Sequence, residues 1–383
     1  MYPRLFEKQN NKSFFIFGPR GTGKSSWLRE NIKNSSYIDL LNEKTFRFLL
    51  SSPEKLVTLI NPESEWIIID EVQRIPELLN EVHRQIELNK LKFILSGSSA
   101  RNLKRLGVNL LAGRAITKFM YPFTFEELGN DFKLNKAIKF GLLPEVWNQE
   151  DEAEIESYLD SYVSTYLKEE VKQESLVRNL GNFSRFLEVA SFSQSSLLNV
   201  SNVAREVGVS NKTCENYFTI LEDLLLAKRL PVFCKHAKRV MFKRQKFLFF
   251  DVGVYRTIRP KGPLDSVENI DGAALETLIF QNLLALNDYY NLKYDFYHWK
   301  TKLGQEVDFV LYGEAGLVAI EIKRAQSIRK SDLKSLKLFF QDYPMANVYM
   351  LYTGDQELFI DGIKIIPYEM FFKIYKQVLK ILV

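Results

Sequence analysis

Cysteine is nearly missing from this 383-residue sequence: Cys214 and Cys234 are the only two. Neither belongs to a C-x-x-C pair, and His83, His236 and His298 lie far apart. A structural zinc site and a disulfide framework are therefore not expected. Long apolar runs are also missing. Trp66–Ile69 is far too short to span a bilayer. The opening Met1–Lys12 is polar and charged, without the apolar centre of a secretory signal. The expected setting is a reducing cytoplasm, with no membrane partner. Charge of one sign is scarce too, since 52 Lys and Arg against 47 Asp and Glu leave +5. So small an excess permits a nucleic-acid partner without arguing for one. No internal repeat and no low-complexity segment is present.

What the chain has is apolar content, 46% of its residues, enough for a core in each of two or three domains of roughly 100–200 residues. Residues 13–17 (SFFIF), 66–70 (WIIID) and 92–96 (KFILS) read as buried strands, with another around Tyr37–Leu40. Helical patterns lie between them, from Gly23 to about Asn31 and from Pro76 to Leu88. Strands alternating with helices indicate an α/β domain with a parallel sheet covered on both faces. After about residue 130 the pattern turns helical, with apolar Ile155, Leu159, Tyr162 and Tyr166 at three- and four-residue spacing. The last third opens with a helix, Ala273–Leu286, and continues in strands (YDFYHW, EVDFVLY, LVAIEIK). The expected domains are 1–130, 131–262 and 263–383.

Gly18-Pro19-Arg20-Gly21-Thr22-Gly23-Lys24-Ser25 fits G-x-x-x-x-G-K-[ST] at every required position, between a strand and a helix. The glycines let backbone N–H groups face a β-phosphate, and the new helix adds the positive end of its dipole. Lys24 is expected to neutralise the β- and γ-phosphates, and Ser25 to ligate Mg²⁺; Ser26 closes the binding stretch. The expected ligand is ATP with magnesium. Ile67-Ile68-Ile69-Asp70-Glu71 is an apolar strand ending in two carboxylates, the Walker B pattern. Asp70 is the expected magnesium partner and Glu71 the general base for water. Ser96 and Ser98, at the tip of the next strand, are candidates for sensing the γ-phosphate. Arg101, Arg105 and Arg114 are candidates for touching it, in cis or from a neighbouring subunit, with Arg114 favoured.

These stretches (FIFGPRGTGKSS, WIIIDEVQRIP, LSGSSARNL, LLAGRA, YPFTFEEL) make the chain resemble prokaryotic AAA+-type P-loop ATPases. In that family the ATPase domain is fused to a C-terminal domain of unknown function related to the PD-(D/E)XK nuclease fold. The second half carries the likeness in YVSTYLKEEV, VGVSNKTCENYFTILEDL, KFLFFDVGV, LETLIFQNL, GQEVDFVL and VAIEIK. The resemblance implies ATPase activity and a restriction-endonuclease-like third domain more than it implies a substrate.

Residues 201–225 read as helix-turn-helix, with Ser201 and Ser210 as caps and Gly208-Val209 as the turn. The outward face of the second helix mixes Lys212, Asn216 and Thr219 with Glu215, Glu222 and Asp223, a poor match for phosphates. A basic cluster follows in a hairpin or wing: Lys235, Lys238, Arg239, Lys243, Arg244 and Lys246. That wing is expected either to follow a DNA backbone or to serve contact between domains or proteins. In the third domain, Asp308 lies on one strand, and Glu321 and Lys323 lie two apart on another. This is the D…E-x-K arrangement, in which carboxylates bind a second Mg²⁺ or Mn²⁺ and the lysine steadies water. Glu276 resembles the helix glutamate of that fold, and Glu306 is the weaker alternative. A buried ion network is the other reading of the same residues. Two functions stay open: an ATPase acting on or regulated by DNA, and a nucleotide-gated protein-interaction switch with an inactive nuclease-like domain. A kinase-like phosphotransferase is disfavoured by the Asp70-Glu71 pair. A homo-oligomer or a protein partner is compatible with either.

Overall fold

The first strand, β1 (Ser13–Phe17), is buried along its whole length. Its side chains alternate across the sheet. Phe15 and Phe17 enter one core with Ile67, Ile69 and Leu95. Phe14 and Ile16 enter another with Ile68, Ile94 and Trp27. A strand apolar on both faces suits a parallel sheet covered on both sides, and that is what forms. With β2 (Ser35–Asp39), β3 (Trp66–Asp70), β4 (Phe93–Gly97) and β5 (Ala115–Phe119) it makes a five-stranded sheet in the order β2-β3-β4-β1-β5. All four pairings are parallel. The carboxyl ends of β1, β3 and β4 therefore share one rim.

This computed structural model describes residues 2–8, 12–98, 111, 113–167, 171, 179–262 and 265–381. Arg101 and Arg105 lie outside the described residues.

The middle is helical, with helices at Glu152–Ser161 and Leu180–Ser191 and a π-turn at Tyr162–Leu167 between them. The helix-turn-helix is present as Val200–Val207 and Asn211–Asp223, with Gly208 in the left-handed conformation between them. Ser210 caps the second helix as expected. The first is capped by Asn199, whose side chain accepts from the Asn202 N–H, and Ser201 sits inside it. Both residues are good caps; the helix simply begins earlier. A three-stranded antiparallel sheet follows from β6 (Ser196–Leu197), β7 (Ala227–Leu230) and β8 (Lys246–Phe249), in the order β6-β8-β7.

The last third is a six-stranded mixed sheet, with the Val267–Tyr289 helix leading into it. Its strands are β9 (Asp295–Lys300), β10 (Glu306–Gly313), β11 (Gly316–Lys323), β12 (Asn347–Tyr352), β13 (Leu358–Ile360) and β14 (Ile363–Pro367). They run in the order β13-β14-β12-β11-β10-β9. Leu275, Ile279 and Leu283 of the helix pack on Phe309, Leu311, Val318 and Ile320 of the sheet. Leu248 and Leu230 of the middle sheet enter that same core, so the middle and last parts are fused by packing. The result is the expected α/β architecture: a parallel P-loop sheet, a helical middle, and a C-terminal sheet with helices. Among the described residues no helix is long and apolar enough to cross a membrane.

Candidate functional site

Two glycines explain how the phosphate loop turns. A Cβ on Gly18 would stand 2.2 Å from the Met120 carbonyl oxygen, so only glycine lets the loop leave β1 there. Gly23 precedes the Lys24–Asn31 helix at φ 91°, a left-handed conformation that other residues adopt at a cost. The Thr22 hydroxyl donates to the Pro19 carbonyl at 2.9 Å and tightens the turn. Lys24 folds back into this loop: its buried ammonium donates to the carbonyls of Gly18 at 2.7 Å and Pro19 at 3.1 Å. Arg20 and Ser26 are exposed beside it, and Ser25 is half-buried.

The neighbouring strand tips complete the rim. Asp70 is 2% exposed and accepts from Ser96 Oγ on one oxygen and from Tyr37 Oη, at 2.5 Å, on the other. Ser25 lies near the Tyr37 phenol. Burial first, and then the Asp70 carboxylate, hold that phenol well above its ordinary pKa. Tyr37 was not anticipated from sequence; its placement follows from β2 lying beside β3, with Tyr37 opposite Ile68. Glu71 has a left-handed backbone, φ 62°, and accepts from Gln73 Nε2, which also donates to Ser98 at 3.3 Å. Lys24, Ser25, Asp70, Glu71, Ser96 and Ser98 thus meet at one rim.

Arg114 does not join them. Ser13 pairs with Ala115 in the parallel register, which sets Arg114 at the amino end of β5. Four strand steps of about 3.3 Å, about 13 Å in all, separate that end from the loop after Phe17. Arg114 instead pairs with Glu87. The sequence places it after a strand tip that carries serines, but β5 adds to the sheet beside β1 and enters from the opposite rim.

A cavity of about 670 Å³ opens on the other flank of the loop, walled by Arg4, Gly21, Trp27, Phe123, Asn148 and Tyr158. The Arg4 side chain, 7% exposed, ties four parts of the molecule together. It donates to the Thr22 carbonyl at 2.8 Å, the Tyr121 carbonyl at 2.7 Å, Glu127 at 2.9 Å and the Tyr289 hydroxyl at 3.2 Å. Tyr162 Oη, from the helical middle, donates to the Arg20 carbonyl at 2.8 Å.

The C-terminal carboxylates also meet, but around a lysine from elsewhere. The Lys246 ammonium lies 2.7 Å from Asp308 Oδ1 and 2.7 Å from Glu276 Oε2, and Lys246 is 1% exposed. The second Asp308 oxygen accepts from the Ile322 N–H at 2.8 Å, and Glu321 accepts from the Asp308 N–H at 3.2 Å. Lys323 turns away to Asp332, 3.2 Å distant, with its side chain 44% exposed. Glu306 pairs with Lys300 at 2.5 Å. Burial, then the Asp308 charge, raise Glu276 to about 8, and the same causes hold Glu321 well above the carboxylate range. Burial opposes the Lys246 charge, yet Asp308 and Glu276 raise it above its ordinary value. Among the described residues no group of three or more His, Cys, Asp or Glu side chains is arranged to hold a metal ion. The expected second Mg²⁺ or Mn²⁺ does not fit this pocket, because an ammonium stands between its carboxylates.

Residues 10–129 match the model of a family described as AAA domain, which supports an AAA-type P-loop ATPase domain there. Residues 131–265 and 271–371 match two models described as Domain of unknown function, DUF8612 and DUF4143. No curated protein matches the chain. Among solved structures, the chain is similar to "Crystal structure of protein VC1899 from Vibrio cholerae" at 12% identity and a TM-score of 0.25. The match covers 90% of this chain and 97% of that one.

Proposed function

We propose that this chain binds ATP with magnesium at Gly18–Ser25, hydrolyses it, and passes the nucleotide state to its middle and C-terminal parts. The convergence of Lys24, Ser25, Asp70, Glu71 and Ser96 on one sheet rim carries this reading. On binding, Lys24 exchanges the Gly18 and Pro19 carbonyls for β- and γ-phosphate oxygens. The nucleoside takes the cavity beside Gly21 and Gly23. Asp70 accepts from the Tyr37 phenol with Ser25 nearby, and a hydroxyl with a carboxylate is a hard-oxygen donor pair that suits magnesium. Ser25 and Asp70 would hold the ion, which would supply neutralisation of phosphate charge. Ser96 fixes the Asp70 carboxylate. Glu71 takes a proton from water as the water oxygen bonds to the γ-phosphorus and the bond to ADP breaks. The products are ADP, phosphate and a proton. Phosphate release by the purified protein, compared with Lys24→Ala, tests this; equal rates would refute it.

For the partner, the observations favour a nucleotide-gated protein-interaction switch over action on DNA. Of the basic wing, Lys246 is buried, Arg239 pairs with Asp342 at 2.8 Å, and Lys235 sits over the Tyr312 ring at 4.0 Å. Glu215 and Glu222 of the second helix pair with Arg229. The wing backbone lies on β9, where Phe242 N–H donates to the Lys300 carbonyl at 2.9 Å. A wing engaged in this way suits contact within the chain. The domain limits 1–130, 131–262 and 263–383 and a cytoplasmic setting complete the proposal. Fluorescence anisotropy with mixed DNA in the presence of ATP separates the two partners; nanomolar binding would restore the DNA reading.

A further inference from the structure

We propose that Lys246 is the built-in cation of the C-terminal carboxylate pocket. The pocket is then a receptor that clasps the middle sheet, not a centre for a divalent metal ion. Side chains of β8 alternate, and Phe247 and Phe249 enter the core of the helical middle. Leu248 points the other way, into the core of the C-terminal sheet. Lys246 shares the parity of Leu248, so the same rule sends it toward the C-terminal part. β8 is the central strand of its sheet, with Lys246 paired to Leu197 on one side and Leu230 on the other. Its backbone is therefore fixed, and its side chain has one direction to go.

The receiving pocket is equally committed. An ammonium has three donors and no acceptor, and this one donates to Asp308 Oδ1 and forms an ion pair with Glu276 Oε2. Backbone N–H groups of Ile322 and Asp308 claim an oxygen each from Asp308 and Glu321. A bulge in the β9–β10 pairing between Val307 and Val310 lies at Asp308 and aims it into this cluster. A magnesium ion demands near-octahedral oxygens at about 2.0–2.1 Å, whereas these carboxylates are spaced around an ammonium. The lysine that the E-x-K spacing offers, Lys323, is held by Asp332. Asp308 is buried with Glu276 and Glu321 half-buried beside it, and burying a carboxylate without a cation is expensive. Lys246 meets that need and, because it comes from another part of the chain, joins the two parts while doing so.

The test uses the full-length protein without nucleotide, as wild type, Lys246→Ala, Asp308→Ala and the Lys246→Ala/Asp308→Ala double variant. Each is melted in EDTA and in Mn²⁺, and bound Mn²⁺ is counted by electron paramagnetic resonance. The wild-type melting temperature is expected to be the same in both, with no Mn²⁺ that depends on Asp308. Lys246→Ala is expected to melt lower in EDTA and to recover in Mn²⁺ as the opened carboxylates take up the ion. The double variant is expected to lose that recovery. Stoichiometric Mn²⁺ on the wild type that vanishes in Asp308→Ala would overturn the proposal. So would a Lys246→Ala protein that melts like wild type in EDTA. Should Lys246→Ala not fold, the wild-type and Asp308→Ala counts decide alone.

Discussion

Tyr37 donates its phenol hydrogen to Asp70 at 2.5 Å, and so occupies one oxygen of the carboxylate that the proposed chemistry needs for magnesium. Ser25, the other proposed ligand, lies near the same phenol. Magnesium–ATP must therefore compete with Tyr37. Tyr37→Phe is expected to lower the KM for magnesium–ATP while lowering the melting temperature of the nucleotide-free protein. The lost bond to a charged group is worth about 1.5–3 kcal/mol. Steady-state kinetics alongside thermal melts check both signs. A raised KM would mean that the phenol belongs to the liganded site.

Arg4 joins the phosphate loop to the long C-terminal helix through Thr22 and Tyr289, and it neutralises Glu127, whose side chain is fully buried. Arg4→Met leaves that carboxylate buried and unpaired, at a cost of about 3–5 kcal/mol. Tyr289→Phe removes two bonds, those from Arg4 and from the Tyr121 N–H, for about 1 kcal/mol each. Urea denaturation of the two variants should separate them by that margin.

Asp251 is fully buried. Its carboxylate accepts from the Gly253 N–H at 2.8 Å, the Val254 N–H at 3.1 Å and the Leu142 N–H at 2.8 Å. It both caps the Val252–Ile258 helix and anchors the loop at Leu142. Asp251→Ala strands three buried donors, each costing about 1–3 kcal/mol, and should abolish cooperative unfolding seen by circular dichroism. Asp251→Asn, which keeps one acceptor oxygen, should retain a transition at lower urea.

His298 is fully buried, and burial lowers its imidazole to about 4, with the Lys246 and Lys300 charges acting in the same direction. Its Nε2 meets the Arg244 carbonyl at 2.9 Å, which makes the neutral ring the donor there. The unfolded chain titrates near 6.5, so between about 4 and 6.5 it binds the proton that the folded state refuses. The His298 contribution is thus present above pH 6.5 and lost as pH falls toward 4. Melting temperatures across that window should fall less steeply for His298→Gln than for wild type.

The parts of this molecule that were legible in its sequence are the local ones. A strand, its glycines, Lys24 and a helix are consecutive, and their geometry is dictated by neighbours in the chain. Apolar runs such as Ile67–Ile69 announce two buried faces without reference to anything distant. What was not legible depends on strand order. Arg114 is displaced because β5 adds beside β1 and enters from the far rim, a fact that no local pattern encodes. Tyr37 reaches Asp70 only because β2 lies next to β3. Lys246 looks like one more basic residue of a wing, yet it opens the wholly buried strand KFLF. A lysine at the head of such a strand is the one signal in the sequence that a buried anion awaits it. Its partners, Glu276 and Asp308, arrive far later in the chain.

Glu71→Gln separates nucleotide binding from hydrolysis, because it removes the proposed base while keeping the shape of the side chain. Binding of ATP and phosphate release should be measured on the same preparation with magnesium present. The variant is expected to hold ATP as tightly as wild type and to release phosphate about 10²–10⁴-fold more slowly. Phosphate release at the wild-type rate would contradict Glu71 as the base and the hydrolytic reading built on it.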